Sequence, residues 1–252
     1  MLNKLIIPYD TEAYPFARLV SDHLQVADLS RLHDGHNYPL FRRETDQTTP
    51  LHRHLYEIGE TFYDTYRSFV HEVVRGLIGE EIVYQRRPSF RFQLPENIAV
   101  GNFHRDRDNH HGAAEINFWV PLTPVTADTA VWLESREGSR DFRPCLLDYG
   151  QVLVFDGANL EHGNYVNHSN RTRVSFDFRV VPEYLFRDSE KRSLNTKMRF
   201  AVGDYFERTS GDQSKDPREE VSAADVGSLT VGSPGHAEGN PHPITPREQP
   251  RN

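Results

Sequence analysis

Within TRVSFDFRVV, Thr172 to Val181, polar and apolar residues alternate without a slip from Arg173 to Val180. Val174, Phe176, Phe178 and Val180 fall on one side, and Arg173, Ser175, Asp177 and Arg179 on the other. Successive side chains of an extended chain point to opposite faces, so this stretch reads as a β-strand with one apolar face for a core. Parity alone leaves open whether the polar face is wet or borders a pocket.

Similar runs precede it. IVYQRRPSFRFQLP from Ile82, AAEINFWVPL from Ala113, TAVWLES from Thr129 and GQVLVFDG from Gly150 are short β-rich segments bounded by Pro, Gly, Asn and Asp. Strands at such spacing predict a mainly β domain with a jelly-roll, cupin-like core. The N-terminal part carries a different period. Leu51, Leu55, Ile58, Phe62, Tyr66, Phe69, Val73 and Leu77 step by three or four residues, which predicts one long amphipathic helix between Pro50 and Gly79. Thr49 is placed to cap it and Gly79 to stop it. A shorter helix is expected over Thr11–Leu24, and RLHDGHNYPLFRRETDQTT between the two reads as irregular chain that could border a pocket.

This divides the chain into one domain over 1–207, helical to about residue 80 and β from 81, followed by 208–252. The last part has no aromatic residue beyond Phe206 and is rich in Pro, Gly and Ser, so a disordered tail is expected, with His236 and His242 outside any site. The net charge of -8 over 252 residues argues against nucleic acid or an anionic membrane surface as partner. A single cysteine, Cys145, excludes an intramolecular disulfide and a Cys-rich zinc site. No apolar run approaches the roughly 20 residues of a membrane helix. The chain therefore reads as soluble and cytoplasmic, with a small molecule as partner; oligomeric state is not legible.

The stretch GNFHRDRDNHHG, Gly101 to Gly112, is dense in potential ligands. On an extended segment His104 and Asp106 point the same way, whereas Asp108 lies too far along. His162 in DGANLEHGN follows a strand at a turn and can supply the third ligand. Two histidines and a carboxylate that leave positions open are the arrangement of non-haem Fe(II) oxygenases. Zinc fits the same ligands less well, because catalytic zinc keeps one open position. An α-keto acid chelating such a metal needs its far carboxylate anchored, and Arg173 with Ser175 on one strand face offers a guanidinium fork and a hydroxyl. Arg171 shares their parity; the spacing from His162 and the Arg-X-Ser context favour Arg173. His110 and His111 flank the metal pair as loop surface or substrate rim.

His104-X-Asp106, His162 and Arg173-X-Ser175, in that order on a β-rich chain, resemble the Fe(II)/2-oxoglutarate-dependent oxygenases with a double-stranded β-helix core. FRFQLP, EINFWVPLTP, VWLES, VFDGANLEHGN and RVSFDFR resemble the StrG-like branch found in aminoglycoside antibiotic pathways, over roughly Tyr84 to Pro182. The resemblance implies Fe(II), 2-oxoglutarate and O2 as reactants. Succinate and carbon dioxide would be released as a C–H bond of a small polar substrate, an aminocyclitol or sugar, is oxidised. It implies His104, Asp106 and His162 as the metal-binding, catalytic set, and Arg173 and Ser175 as the hold on 2-oxoglutarate. Halogenation is disfavoured, because iron halogenases of this fold replace the carboxylate with a small residue. Asn117 could donate to 2-oxoglutarate or be an ordinary strand residue. Trp119 could wall the pocket or belong to the core. Arg91 and Gln93 share a face of FRFQLP and are candidate cosubstrate or substrate contacts, and Glu134 is a candidate for a substrate amine or hydroxyl. The alternative is a metal-dependent cupin enzyme that does not use 2-oxoglutarate.

Overall fold

A computed structural model describes residues 4–34 and 46–211. Most of the proposed tail, and the middle of the irregular stretch after Arg31, lie outside them. The strands are β1 (Lys4–Pro8), β2 (Ile82–Gln85), β3 (Ser89–Gln93), β4 (Ile116–Pro121), β5 (Val131–Leu133), β6 (Arg143–Cys145), β7 (Gln151–Phe155), β8 (His162–Gly163), β9 (Arg173–Pro182) and β10 (Phe206–Arg208). A seven-stranded antiparallel sheet runs β1-β7-β4-β9-β2-β10, with β3 also paired to β9, and a second sheet runs β6-β5-β8. Two sheets stacked over a shared interior, with helices outside the larger one, make this a double-stranded β-helix of the jelly-roll kind.

The alternation seen in Thr172–Val181 sorts the whole large sheet. Val174, Phe176, Phe178 and Val180 of β9, Phe118 and Val120 of β4, Val152 and Val154 of β7, and Phe90 and Phe92 of β3 share one cluster with the helices. There they meet rings from the helical layer, with Phe16 centred 5.0 Å from Phe176 and Tyr66 centred 5.2 Å from Phe178. The opposite parity, Trp119, Leu153 and Phe155, packs with Leu133, Cys145, Leu147 and Leu160 between the sheets. All ten residues of β9 are buried, so its polar face is neither wet nor apolar.

The helical layer departs from the sequence reading. α1 spans Phe16–Leu24, and the long helix is broken into α2 (Pro50–Tyr56) and α3 (Glu60–Phe69), the latter running through a π-helical turn at Val70–Val74 into α4 (Arg75–Ile78). Thr49 does cap α2, its hydroxyl accepting the His52 amide at 3.3 Å. The break falls at Gly59, which caps α3 in an extended conformation. Leu77, expected on the buried stripe, is 39% exposed because the π turn rotates the last residues off the core. β1, outside every element expected from the sequence, pairs with β7 along its full length. Beyond residue 207, Thr209 exchanges backbone and hydroxyl bonds with Ile82, so ordered pairing continues past the expected boundary. Among the described residues no helix is long and apolar enough to cross a membrane.

Candidate metal centre

His104 and His162 are direct partners across an antiparallel bridge: each backbone N–H donates to the other's carbonyl at 3.0 Å. Both rings are set by the same local device. Nδ1 of His104 bonds the carbonyl of Asn102 and Nδ1 of His162 that of Leu160, both at 3.0 Å, so in each the carbonyl takes the ring proton and Nε2 keeps its lone pair. The two Nε2 atoms face Asp106 Oδ1 at 3.4 and 3.7 Å. The three candidate ligand atoms lie within 4.8 Å of one another, close enough to hold one metal ion. Asp106 does not continue the extended segment of His104. It begins a 3-10 turn over Asp106–Asn109 and is tied by its amide to Gly157 O at 2.9 Å, so a turn rather than strand parity brings the carboxylate in.

The other carboxylate oxygen of Asp106 is fully engaged. Oδ2 accepts from Asn117 Nδ2 at 2.7 Å and from Arg179 Nε and Nη2 at 3.0 and 2.9 Å, which leaves Oδ1 to the histidines. Burial by itself would raise the Asp106 carboxyl, but the Arg179 guanidinium above all holds it well below the usual range. Burial pulls His162 down to about 4, helped by His104, so its imidazole is neutral. Burial also opposes the proton on His104, yet the Asp106 carboxylate beside it raises that ring. Asn117 reaches Asp106 only because residue 157 is glycine: a Cβ there would stand 2.6 Å from the Asn117 amide carbon.

Arg179 is itself held by a chain of alternating charges. It bonds Asp177, which accepts Arg91 Nε at 3.0 Å, and Arg91 Nη1 reaches Asp46 Oδ1 at 3.2 Å. Arg179 and Asp177 sit on β9, Arg91 on β3, and all three are residues of interior parity. The strand polarity was visible in the sequence, but the pairing across β3 and β9 was not, and Arg179 and Asp177 were not singled out.

Arg173 differs from these arginines. It is 2% exposed and donates Nε to Thr129 O at 3.1 Å, Nη1 to Ser175 Oγ at 2.8 Å and Nη2 to Gln93 Oε1 at 2.9 Å, all neutral acceptors. It forms no ion pair with any described residue, and burial, with Arg91 adding repulsion, pulls its guanidinium down to about 9. Three of its five N–H donors are engaged, leaving two for a ligand. Trp119 lies under it, 5.3 Å from ring centre to guanidinium carbon.

The structure thus brings His104, His162, Asn117, Trp119, Arg91 and Arg173 around one small cavity of about 50 Å³, with Asp106 beside the two histidines. A larger cavity of about 730 Å³ shares Arg91, Val100, His104 and Arg179 with it and adds mostly polar walls. Three sequence candidates are placed differently from their expected tasks. Gln93 is wholly buried and spends its amide on Tyr165 O, Asp128 O and Arg173, which makes it a brace for that arginine. Arg91 faces both cavities but is committed to Asp177 and Asp46. Glu134 lines neither cavity; its carboxylate accepts the amides of Arg140, in the loop that follows β5, and of Glu161, just before β8, at 3.1 and 2.8 Å. Arg171 is exposed and bonds Ser30.

No protein-family model matches the sequence. The streptomycin biosynthesis protein StrG of Streptomyces griseus is 39% identical over 202 residues, which cover 79% of this chain and 95% of that protein. Among solved structures, a nickel complex of the non-heme monooxygenase ThoJ matches 71% of this chain and 74% of its own, at 16% identity and a TM-score of 0.42. The alpha-ketoglutarate-dependent carbocyclase SnoK of nogalamycin biosynthesis matches 71% and 79%, at 13% and 0.44. EctD from S. alaskensis with bound iron matches 71% and 72%, at 15% and 0.45. These structural likenesses are distant, and the fold described above rests on the chain's own strand order.

Proposed function

The chain belongs to the family of the streptomycin biosynthesis protein StrG, and from that premise we propose that it is a non-haem Fe(II)/2-oxoglutarate-dependent oxygenase acting on a small polar molecule. The observation that carries the reading is the His104, Asp106 and His162 cluster, whose two histidines share one cavity with Arg173, a buried arginine that has no carboxylate partner among the described residues. Three ligands on a divalent ion leave room for a bidentate keto acid and one further position. The two idle N–H donors of Arg173 suit the far carboxylate of a dicarboxylic keto acid, with the Ser175 hydroxyl beside them. A metal cupin that ignores 2-oxoglutarate would have no use for that uncompensated cation, whose burial is costly.

With iron bound there, dioxygen would be the oxidant, taking two electrons from 2-oxoglutarate, which leaves as succinate and carbon dioxide, and two from a C–H bond of the substrate. The protein's own part is positional. Asn117 and Arg179 occupy one oxygen of Asp106 and aim the other; the carbonyls of Asn102 and Leu160 aim the histidines; Trp119 and Phe155 close the small cavity against water.

The substrate reading is an aminocyclitol or aminoglycoside sugar, supported by the streptomycin biosynthesis for which StrG is named and by the polar walls of the larger cavity. The finer reading, hydroxylation or oxidative ring closure, the latter to an orthoester of the hygromycin B type, rests on the sequence resemblance alone. The test is aerobic incubation with Fe(II), 2-oxoglutarate and a panel of streptamine, 2-deoxystreptamine and neamine, with succinate as readout. Succinate formation above the substrate-free rate is expected. If anaerobic Fe(II) and 2-oxoglutarate give no visible charge-transfer band of a chelated keto acid, the cosubstrate assignment fails.

A further inference from the structure

His111 lies five residues beyond Asp106 in the charged loop, and nothing in the metal site uses its side chain. Its ring Nδ1 meets Glu115 Oε2 at 2.6 Å, and the two side chains are only 10% and 5% exposed. Glu115 is doubly committed, since its other oxygen accepts the Gly112 amide at 2.6 Å. A buried carboxylate can only accept, so it draws the ring proton to Nδ1 and leaves Nε2 as an acceptor. Phe200 and Tyr205 clamp the ring, with centroids 4.6 and 6.0 Å away. That ring is part of the wall of the 730 Å³ cavity, which also includes His104 and Asp106. Among the described residues Nε2 has no hydrogen-bond partner.

A surface histidine has no need of this construction. Holding an imidazole in one tautomer, against two aromatic rings and beside a reaction centre, costs the burial of a carboxylate, and the ring so held stands in the wall of the space a substrate would fill.

We propose that His111, oriented by Glu115, is a substrate-binding residue whose Nε2 accepts a hydrogen bond from a hydroxyl or ammonium group of a polyhydroxylated substrate. The contact fixes which C–H bond is presented to the metal, because a ring held at one hydroxyl and confined by the cavity walls has few remaining orientations. The proposal rests on the oxygenase reading above and specifies how that cavity recognises its substrate. Glu115 is a positioning residue in this account: it acts only through His111.

Two measurements decide it. Long-range proton–nitrogen NMR of the Zn(II)-loaded, 2-oxoglutarate-bound protein reads the tautomer of His111, and a ring proton on Nδ1 is expected. A proton on Nε2 overturns the proposal, whatever the substrate. His111→Asn keeps an amide at the Nδ1 position, able to meet Glu115, and deletes Nε2. Calorimetry with streptamine, 2-deoxystreptamine and neamine as probes is expected to give at least a tenfold rise in Kd, with the Kd values of Zn(II) and 2-oxoglutarate within twofold of the parent protein. His111→Gln, which restores a polar atom near Nε2, is expected to recover part of the loss. Probe affinities within twofold of the parent in both His111→Asn and His111→Ala make the pair a structural brace. Failure of the parent enzyme to form succinate sinks the oxygenase reading separately, while the tautomer still decides the arrangement of the pair.

Discussion

The two faces of β9 are equally buried and solve different physical problems. One puts Phe176 and Phe178 among Phe16, Phe62, Tyr66 and Phe69, where stability scales with the apolar area removed from water. The other puts Arg173, Ser175, Asp177 and Arg179 into the sandwich interior, where every ion pair must first offset desolvation. Their difference teaches that burial on this strand has two meanings. The apolar face holds the sheet to its helices; the charged face holds a carboxylate and a guanidinium ready for ligands and adds little net stability.

The comparison can be broken at four points. Truncating the apolar face has the largest expected effect: Phe178→Ala should cost about 3–5 kcal/mol, read as a fall in the urea midpoint at unchanged slope. A loss below about 1 kcal/mol would mean that the helical layer is loosely attached. On the charged face, Arg173→Gln should weaken 2-oxoglutarate roughly a hundredfold, about 3 kcal/mol for a desolvated charged pair, while the urea midpoint holds or rises. The reverse pattern, lost stability with cosubstrate binding intact, would make Arg173 a structural cation. Gly157→Ala forces Asn117 off Asp106; about 1–3 kcal/mol of overpacking and a metal affinity roughly tenfold to a hundredfold lower are expected in chelator competition. If affinity is unchanged, Asn117 does not help to aim the carboxylate.

The smallest effect concerns the one described histidine buried on the helix side. Burial, with the Arg91 charge adding to it, pulls His52 down to about 4. Its folded value lies below the unfolded one, so acidification protonates the unfolded chain first, and stability is lost as pH falls from above 6.5 toward 4. Between pH 7 and 5.5 this amounts to about 1 kcal/mol, and His52→Asn should flatten that part of the profile in urea titrations repeated across the range.

Periodicity made β9 legible because only one of its faces is apolar, whereas β4 and β7, apolar on both faces, were legible only as short β-rich runs. It failed where two causes mixed. The stripe from Leu51 to Leu77 continues across Gly59, and a period count cannot see the cap that ends one helix and starts the next. The strand β1 hid behind its brevity, since only pairing with β7 defines it. At the site, His104, Asp106 and His162 could be read because each residue type carries its chemistry alone. Arg179 and Asp177 could not, because their meaning comes from the register that sets Asn117 opposite Arg179 and Ser89 opposite Asp177. Glu134 misled because an acid at a strand end looks the same whether it faces a substrate or two backbone amides.

The bridge between His104 and His162 also governs how the site can fail. Because the two histidines are register partners, a slip of one residue along that bridge would turn one imidazole to the far side while leaving the other in place. No half-built version of the pair exists to be repaired by small adjustments of side chains. Change can therefore accumulate in the polar walls of the larger cavity, remodelling what is recognised, while the backbone pairing that presents the two rings stays discrete: either in register or absent.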